Sequence, residues 1–349
     1  MVSKFTALGY LPAAALFAFL AYLIVGRPGV GVLISAAKAR ALPAVIAVFT
    51  GAIGIWAVYS FSFGKVTAWN INLPAPELFD GVSFAIYHNT KGHAAYFMGE
   101  IRNTGWWYFF PVLLAVKTPL AWLVAVGFGM SVWWGTRGRL AYWMPVAFAA
   151  GILLPSMTSH VNIGLRHILP IFTGLAILAG LGIMWLLERA SRAKWAGPLA
   201  VVLVLWIAVS GAMQHPDYLS YFNQLAGSNP ERIVVDSDLD WGQNTIRLQR
   251  RLKELGAAQV TFGDLNLRPN HLMMWPGLPN VQSLDALRAV EGWTAVSPTM
   301  WMLRYGPIAH QRSKQPWWAY YHPVEKVGTL WLYYLPPGTL QQSMPGTPR

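Results

Sequence analysis

Long apolar runs dominate the first 213 residues. Six of them, roughly 7–25, 42–61, 112–134, 141–157, 168–187 and 196–213, carry almost no charge. About 20 apolar residues in a helix cross the roughly 30 Å hydrocarbon layer, so each run predicts a membrane span. The pattern changes after residue 213 to short elements of mixed period. Residues 232–235 read as a strand. Residues 243–255 carry apolar Ile246, Leu248, Leu252 and Leu255 at helical spacing, with Gly256 as a stop. Residues 259–262 predict a strand, 284–290 a short helix, and 293–296 and 327–334 two further strands. The expected fold is therefore a polytopic α-helical membrane protein of about six transmembrane helices, followed by a small α/β domain. Residues 1–213 would form the transmembrane domain, with a long loop at 62–111, and residues 214–349 the α/β domain.

Composition agrees with a membrane chain. Apolar residues make up 55% and charged residues only 11% of the 349, against about 25% charged in soluble domains. The 18 Trp and 14 Tyr fit a large membrane–water interface. With no Cys, the chain has no disulfide, thiol catalysis or thiolate-ligated metal. The net charge of +12 divides unevenly: +10 falls in residues 1–213 and +2 in 214–349. Basic excess in the apolar half points to topology and anionic lipid. No Lys/Arg-rich run is interleaved with stacking aromatics, so nucleic acid is not an expected partner.

Charge also sets the expected orientation. Arg27, Lys38 and Arg40 separate the first two runs, Arg137 and Arg139 the third and fourth, and Arg189, Arg192 and Lys194 the fifth and sixth. Three alternate basic loops predict that these loops are cytoplasmic. Both termini, loop 62–111, loop 157–167 and the α/β domain then lie outside an inner (plasma) membrane. The first apolar run continues to Val25 without a small-x-small cleavage pattern, so a retained span is expected there rather than a signal peptide.

The outward loops carry the candidate chemistry. Lys65, His88, Lys91, His93 and Arg102 give loop 62–111 a positive field, and Glu77, Asp80 and Glu100 are its acids. These cations would either anchor headgroups or cradle a lipid-linked phosphate. Residues 106–110, Trp-Trp-Tyr-Phe-Phe, read as an interfacial aromatic belt. Lys117 sits in apolar sequence before Thr118 and Pro119; it would snorkel to the interface or serve a site. Arg166 and His167 precede the fifth run on the outer side, where an Arg fork can clamp phosphate oxygens or meet headgroups. His160 and His167 lack a consistent acid partner, so no metal is expected. In the tail, Asp236, Asp238 and Asp240 have the spacing that opens a calcium loop, but Trp241 and Arg247 stand where Gly and Glu are needed. A strand-to-helix turn with Asp240 as N-cap is the expected reading.

Several of these segments together resemble a known family. They are 96–100 (Tyr-Phe-Met-Gly-Glu), 105–111 (Gly-Trp-Trp-Tyr-Phe-Phe-Pro), 117–119 (Lys-Thr-Pro), 162–170 (Asn-Ile-Gly-Leu-Arg-His-Ile-Leu-Pro), 216–223 and 236–243. In order and approximate spacing they resemble the C-terminal portion of bacterial GT-C membrane glycosyltransferases similar to the dolichyl-phosphate-mannose protein mannosyltransferases. The resemblance implies a sugar donor on a polyprenyl phosphate and a lipid, glycan or protein acceptor on the outer side. An acid would activate the acceptor, and cations would hold the departing phosphate. Arg166, His167, Lys117 and His93 would serve the donor phosphate, with Glu100 near the reaction face and no cofactor. The family's catalytic acid lies in the loop after its first span. Here a basic loop follows the first run, no acid precedes Glu77, and Glu100 does not match that motif. The expectation is a chain that corresponds to the family's C-terminal portion, as a fragment, a misplaced start, a split enzyme with an N-terminal companion subunit, or an inactive remnant. A non-catalytic subunit or scaffold that binds lipid-linked glycan is the alternative.

Overall fold

A computed structural model describes residues 6–263, 277–285, 287–305 and 316–342. The chain forms two compact units. The first comprises Met1–His93 and Asn103–Val209, the second Ala94–Arg102 and Ser210–Arg349. The long loop after the second apolar run is thus shared, since its middle belongs with the C-terminal unit.

The first unit is helical. Helices α1 (Ala7–Gly26) and α2 (Val30–Val58) are joined by a short turn in which Arg27 is left-handed. At 1.5 Å per residue, the 29 residues of α2 reach about 44 Å, well beyond the hydrocarbon thickness. Lys38 and Arg40 therefore lie within the helix, not in a loop between spans. A hairpin of β1 (Phe63–Val66) and β2 (Ile71–Pro74) follows, then α3 (Pro76–Lys91), with proline in its first turn, where a missing N–H costs nothing.

The third apolar run is not one straight span. It is α4 (Phe109–Lys117) and α5 (Leu120–Gly135), bent by 114°. Pro119 has no N–H to give, and its ring holds Thr118 extended at φ −105°, ψ 135°. Helix α6 (Trp143–Ser156) has only 14 residues, and α7 (Ile171–Arg189) and α8 (Ala196–Met213) complete the unit. Four helices, α1, α2, α7 and α8, are long and apolar enough to cross a membrane, and the bent pair makes five if counted as one span. The expected six are not all met, because α6 is too short and the third run is broken.

Small residues let these helices approach. Gly129 lies against the Leu178 backbone, Gly182 against Ala125 and Gly129, and Gly151 against Ala14. Between α5 and α7 the Trp122–Phe172 and Phe128–Trp185 ring pairs, at 5.4 and 5.6 Å, advance together, so the two helices run in the same direction. Across α1 and α6, Ser156 Oγ donates to the Tyr10 hydroxyl at 2.9 Å. The expected aromatic belt is mostly interior. Trp106, Phe109 and Phe110 are buried, and Trp107 is exposed.

In the second unit, β3 (Ala95–Phe97) and β4 (Glu100–Arg102) form a hairpin. Phe97 bridges Val234, Met98 N–H donates to Ile233 O at 2.8 Å, and Tyr96 packs with Val235 and Leu239. Residues 232–235 are therefore not the strand the sequence suggested; a 3-10 turn at Pro230–Arg232 leads into a single bridge. Helix α9 (Thr245–Glu254) lies on a five-stranded sheet of β5 (Gln259–Gly263), β6 (Asn280–Ser283), β7 (Gly292–Val296), β8 (Glu325–Val327) and β9 (Leu330–Leu335).

The strand order is β6-β5-β7-β9-β8, with β5 parallel to β6 and β7 and the other pairs antiparallel. Leu248 and Leu252 bury against Val260, Phe262, Ala295 and Leu332. The opposite face packs Trp317, Trp318, Trp331 and Tyr333. The helix expected at 284–290 does not form in its described residues. Asp285 Oδ1 instead accepts the Leu287 N–H at 2.8 Å, a turn that competes with helix. The single strand expected at 327–334 is the hairpin of β8 and β9, turned at Gly328 with φ 61°.

The glycine contacts give a first prediction. Gly182→Leu places bulk against the α5 backbone and should lower stability by at least the ~1–3 kcal/mol of overpacking. Gly180→Leu, where nothing lies within 4 Å of a Cβ, should change it little. Thermal unfolding followed by tryptophan fluorescence reads both, and equal melting temperatures would contradict the packing.

Candidate functional site

Two asparagines, Asn162 buried and Asn89 half-buried, assemble the cationic part of the first unit. Asn89, near the end of α3, accepts the Ser159 hydroxyl at 2.9 Å and the His160 N–H at 3.1 Å. Asn162 accepts the Trp106 N–H at 2.7 Å and donates to Ser159 O at 3.3 Å. Gly105, at φ 66°, brings its backbone so close to Asn162 that a side chain would collide with the amide. Loop 157–167 is thereby pinned to α3 on one side and to the entry of α4 on the other. An asparagine offers both donor and acceptor, so it can satisfy two loop backbones at once.

These pins bring the basic residues together. His88, in the last turn of α3, and His93 lie 5.5 Å apart between ring centroids. Beyond the helix, Gly92 at φ 74° turns the chain, and His93 N–H donates to Asn103 O at 3.1 Å. Burial holds His93 below the usual histidine range, and positive charge on His88 and on Arg166 pushes it further down. Arg166 and His167 sit in the 3-10 turn Leu165–His167, which packs on α4. Lys117 occupies the last turn of α4, just before the bend. Three of the four expected phosphate-binding residues, Arg166, His167 and Lys117, thus share contacting elements, and the fourth, His93, feels Arg166 directly.

The loop's acids are elsewhere. Glu77 Oε2 accepts the Ser62 hydroxyl at 2.7 Å, and Asp80 accepts the Thr67 N–H at 2.8 Å and its hydroxyl at 3.1 Å. Both fasten the β1–β2 hairpin to α3. Glu100 belongs to the second unit, where it is exposed and ion-paired with Arg102. Lys91 lies 5.7 Å from the Tyr87 ring centre. Among the described residues no group of three His, Asp or Glu side chains could hold a metal ion.

The Asp236–Gln243 segment has a different role from the one expected. Asp240 is not the N-cap of α9, which begins at Thr245. Its side chain is fully buried, and burial raises its pKa. The Gly242 N–H, at 3.2 Å, and the Ser297 and Thr329 hydroxyls act in the opposite direction. Asp236, left-handed at φ 63°, donates its N–H to Thr299 Oγ1 at 3.0 Å. Asn244 Nδ2 donates to Thr329 Oγ1 at 2.8 Å. The segment and Asn244 knit the residues after β7 to the start of β9.

Sequence reasoning named the cations but gave no role to Asn89 or Asn162. Asn89 is one polar residue near a helix end and Asn162 one in a loop, and the partners and burial that give them a role are not written in the sequence. The chain matches no protein-family model, no curated protein and no solved structure.

The crowding of positive groups predicts that Arg166→Ala or His88→Gln raises the His93 pKa, since each removes a repulsion. Burial remains, so His93 should stay below its ordinary value. Titration of carbon-13-labelled imidazoles in the full chain measures this. An unmoved His93 in both variants would show that the charges do not meet.

Proposed function

We propose that this chain is a membrane glycosyltransferase, or the C-terminal portion of one, that uses a sugar linked to a polyprenyl phosphate. The observation that supports the reading is the half-buried meeting of His93, His88 and Arg166. Cations gathered where water is scarce repel one another, and an anion relieves that cost. A phosphodiester at the membrane surface supplies one negative charge and two oxygens suited to an arginine fork. Lys117 and His167, on the adjoining elements, would complete the cradle. During transfer such cations stabilise the charge that develops on the departing phosphate.

A second reading has its own support. Glu77 and Asp80 are committed to the hairpin clamp, and Glu100 lies in the other unit. With no acid from loop 62–111 engaged at the cations, the chain would bind or present a lipid-linked glycan, and a companion subunit would supply the base. In both readings the cation cluster, loop 62–111 and both termini face outward from the plasma membrane, and the acceptor is a lipid, glycan or protein on that side.

Binding separates these readings from simple headgroup anchoring. Citronellyl methyl phosphate is a diester whose single charge does not titrate near neutrality, so any pH dependence belongs to the protein. Arg166→Ala should weaken its binding by about 10- to 150-fold, the equivalent of ~1.5–3 kcal/mol for a charge-assisted hydrogen bond. Arg166→Lys should fall between, since a point charge replaces the fork. Affinity should rise as pH falls from about 8 to 5.5, because the bound anion favours the protonated His93 that the free site disfavours. His93→Gln should flatten the profile. Equal affinity of wild type and Arg166→Ala, both well folded by thermal unfolding, would return Arg166 to an anchor. Sugar release from a polyprenyl-phosphate donor by the purified chain would favour the enzyme over the presenting subunit.

Orientation has a clean test because the chain contains no cysteine. An impermeant maleimide added to intact cells should label Lys65→Cys and spare Arg137→Cys. The reverse pattern would overturn the topology.

A further inference from the structure

We infer that the second unit carries a binding site for a neutral sugar ring, built on Trp293 and Tyr334. The site exists because α9 stops short. The helix ends at Glu254, and Gly256, at φ 63°, turns the chain away, with its N–H on Lys253 O and the Ala257 N–H on Leu252 O. Leu248 and Leu252 therefore cover Val260, Phe262, Ala295 and Leu332, with Leu255, Ala257 and a partly buried Trp293 packed at the margin of that core. There Trp293 on β7 and Tyr334 on β9 are register partners, with ring centroids 4.6 Å apart and planes tilted by 40°. Tyr334 is 40% exposed. Around the two rings lies a pocket of about 350 Å³, walled by the turn 256–258, Gln259, Glu291 and Pro337.

The chemistry of the walls selects the ligand. Among the described residues no Lys, Arg or His lines the pocket, so these walls give a phosphate or a carboxylate no cationic side chain. A purely apolar ligand would strip water from the Gln259 amide and from the Glu291 carboxylate, whose two backbone partners leave it further lone pairs to satisfy. A sugar ring meets both demands. Its face of C–H bonds lies on the negative face of an aromatic ring. Its hydroxyls donate to a carboxylate and exchange hydrogen bonds with an amide. Glu291 is held for this, because its Oε1 accepts the Gly338 N–H at 2.8 Å and the Leu340 N–H at 3.2 Å. The carboxylate is thus fixed by backbone from the turn beyond β9. The volume is at the small end of the range for small-molecule sites, about 300–1,000 Å³. The two rings pack on each other, and only their outward sides border the open pocket, so they form no cage of the kind that encloses a quaternary ammonium group.

This site is separate from the phosphate reading, since its residues all lie in the second unit and its test involves no donor and no transfer. The full chain in a sugar-free polyoxyethylene detergent is mixed in turn with cellobiose, maltose, diacetylchitobiose, α-1,6-mannobiose and choline. Saturation-transfer NMR then detects weak binding. At least one disaccharide should bind, with the strongest saturation on the C–H protons of one ring face. Tyr334→Ser and Trp293→Leu should each weaken that binding by about tenfold, and Tyr334→Phe should leave it within about twofold. Tyr334→Ser removes a partly exposed ring, so its unfolding temperature should match wild type and keep the test valid if Trp293→Leu misfolds. The inference fails if none of the four disaccharides binds, if choline binds in their place, or if binding survives Tyr334→Ser unchanged.

Discussion

One missing backbone N–H organises the first unit. Pro119 cannot continue the helix that begins at Phe109, and its ring holds Thr118 extended. The apolar run therefore turns by 114° and does not pass straight through. Because of that turn, Lys117 ends a helix and does not sit in the middle of one. A lysine at a helix C-terminus is favoured by the helix dipole, whereas one inside an apolar span is costly. The same turn lays α4 against the Leu165–His167 turn, so Lys117 and the pair Arg166–His167 lie on contacting elements. The aromatic residues at the start of α4 become packing, with Phe109 and Phe110 buried.

The two units handle buried charge in opposite ways. In the first, His93 is kept neutral by burial and by the positive groups beside it, and the acids of the neighbouring loop fasten a hairpin instead of compensating them. Such a cluster keeps its attraction for an anion. In the second, Asp240 is buried among a backbone N–H and two hydroxyls. Its hydrogen bonds join the end of β7 to the start of β9. The acidic segment thus works as a structural knot, and the proposed anion site draws on the cationic segment.

Glycine marks where the helices of the first unit meet. Gly129, Gly151 and Gly182 each lie against the backbone of a neighbouring helix. In lipid, apolar side chains gain little by leaving the tails, so close backbone approach and dispersion hold helices together. By contrast, α2 buries none of its 29 residues within the described structure, and it is long and apolar enough to cross a membrane.

The sequence by itself determined that the first 213 residues are apolar helices and that a small α/β unit follows, because span length and hydrophobic period are local properties. It also determined α9 and β5, whose periodicity is clean, and it identified Arg166, His167, Lys117 and His93 as unusual cations. It did not determine whether an apolar run crosses straight, as α4 and α5 show, or is long enough, as α6 shows. Nor did it reveal that residues 94–102 leave their loop to pair with Val234 in the other unit. Tertiary structure alone decided that Asn89 and Asn162 pin the cationic loops, that Glu100 belongs to the second unit, and that Trp293 and Tyr334 border a pocket beyond the end of α9. Each of these depends on contacts between residues far apart in the chain, and hydrogen-bond partners and burial at such distances leave no periodic trace in the sequence.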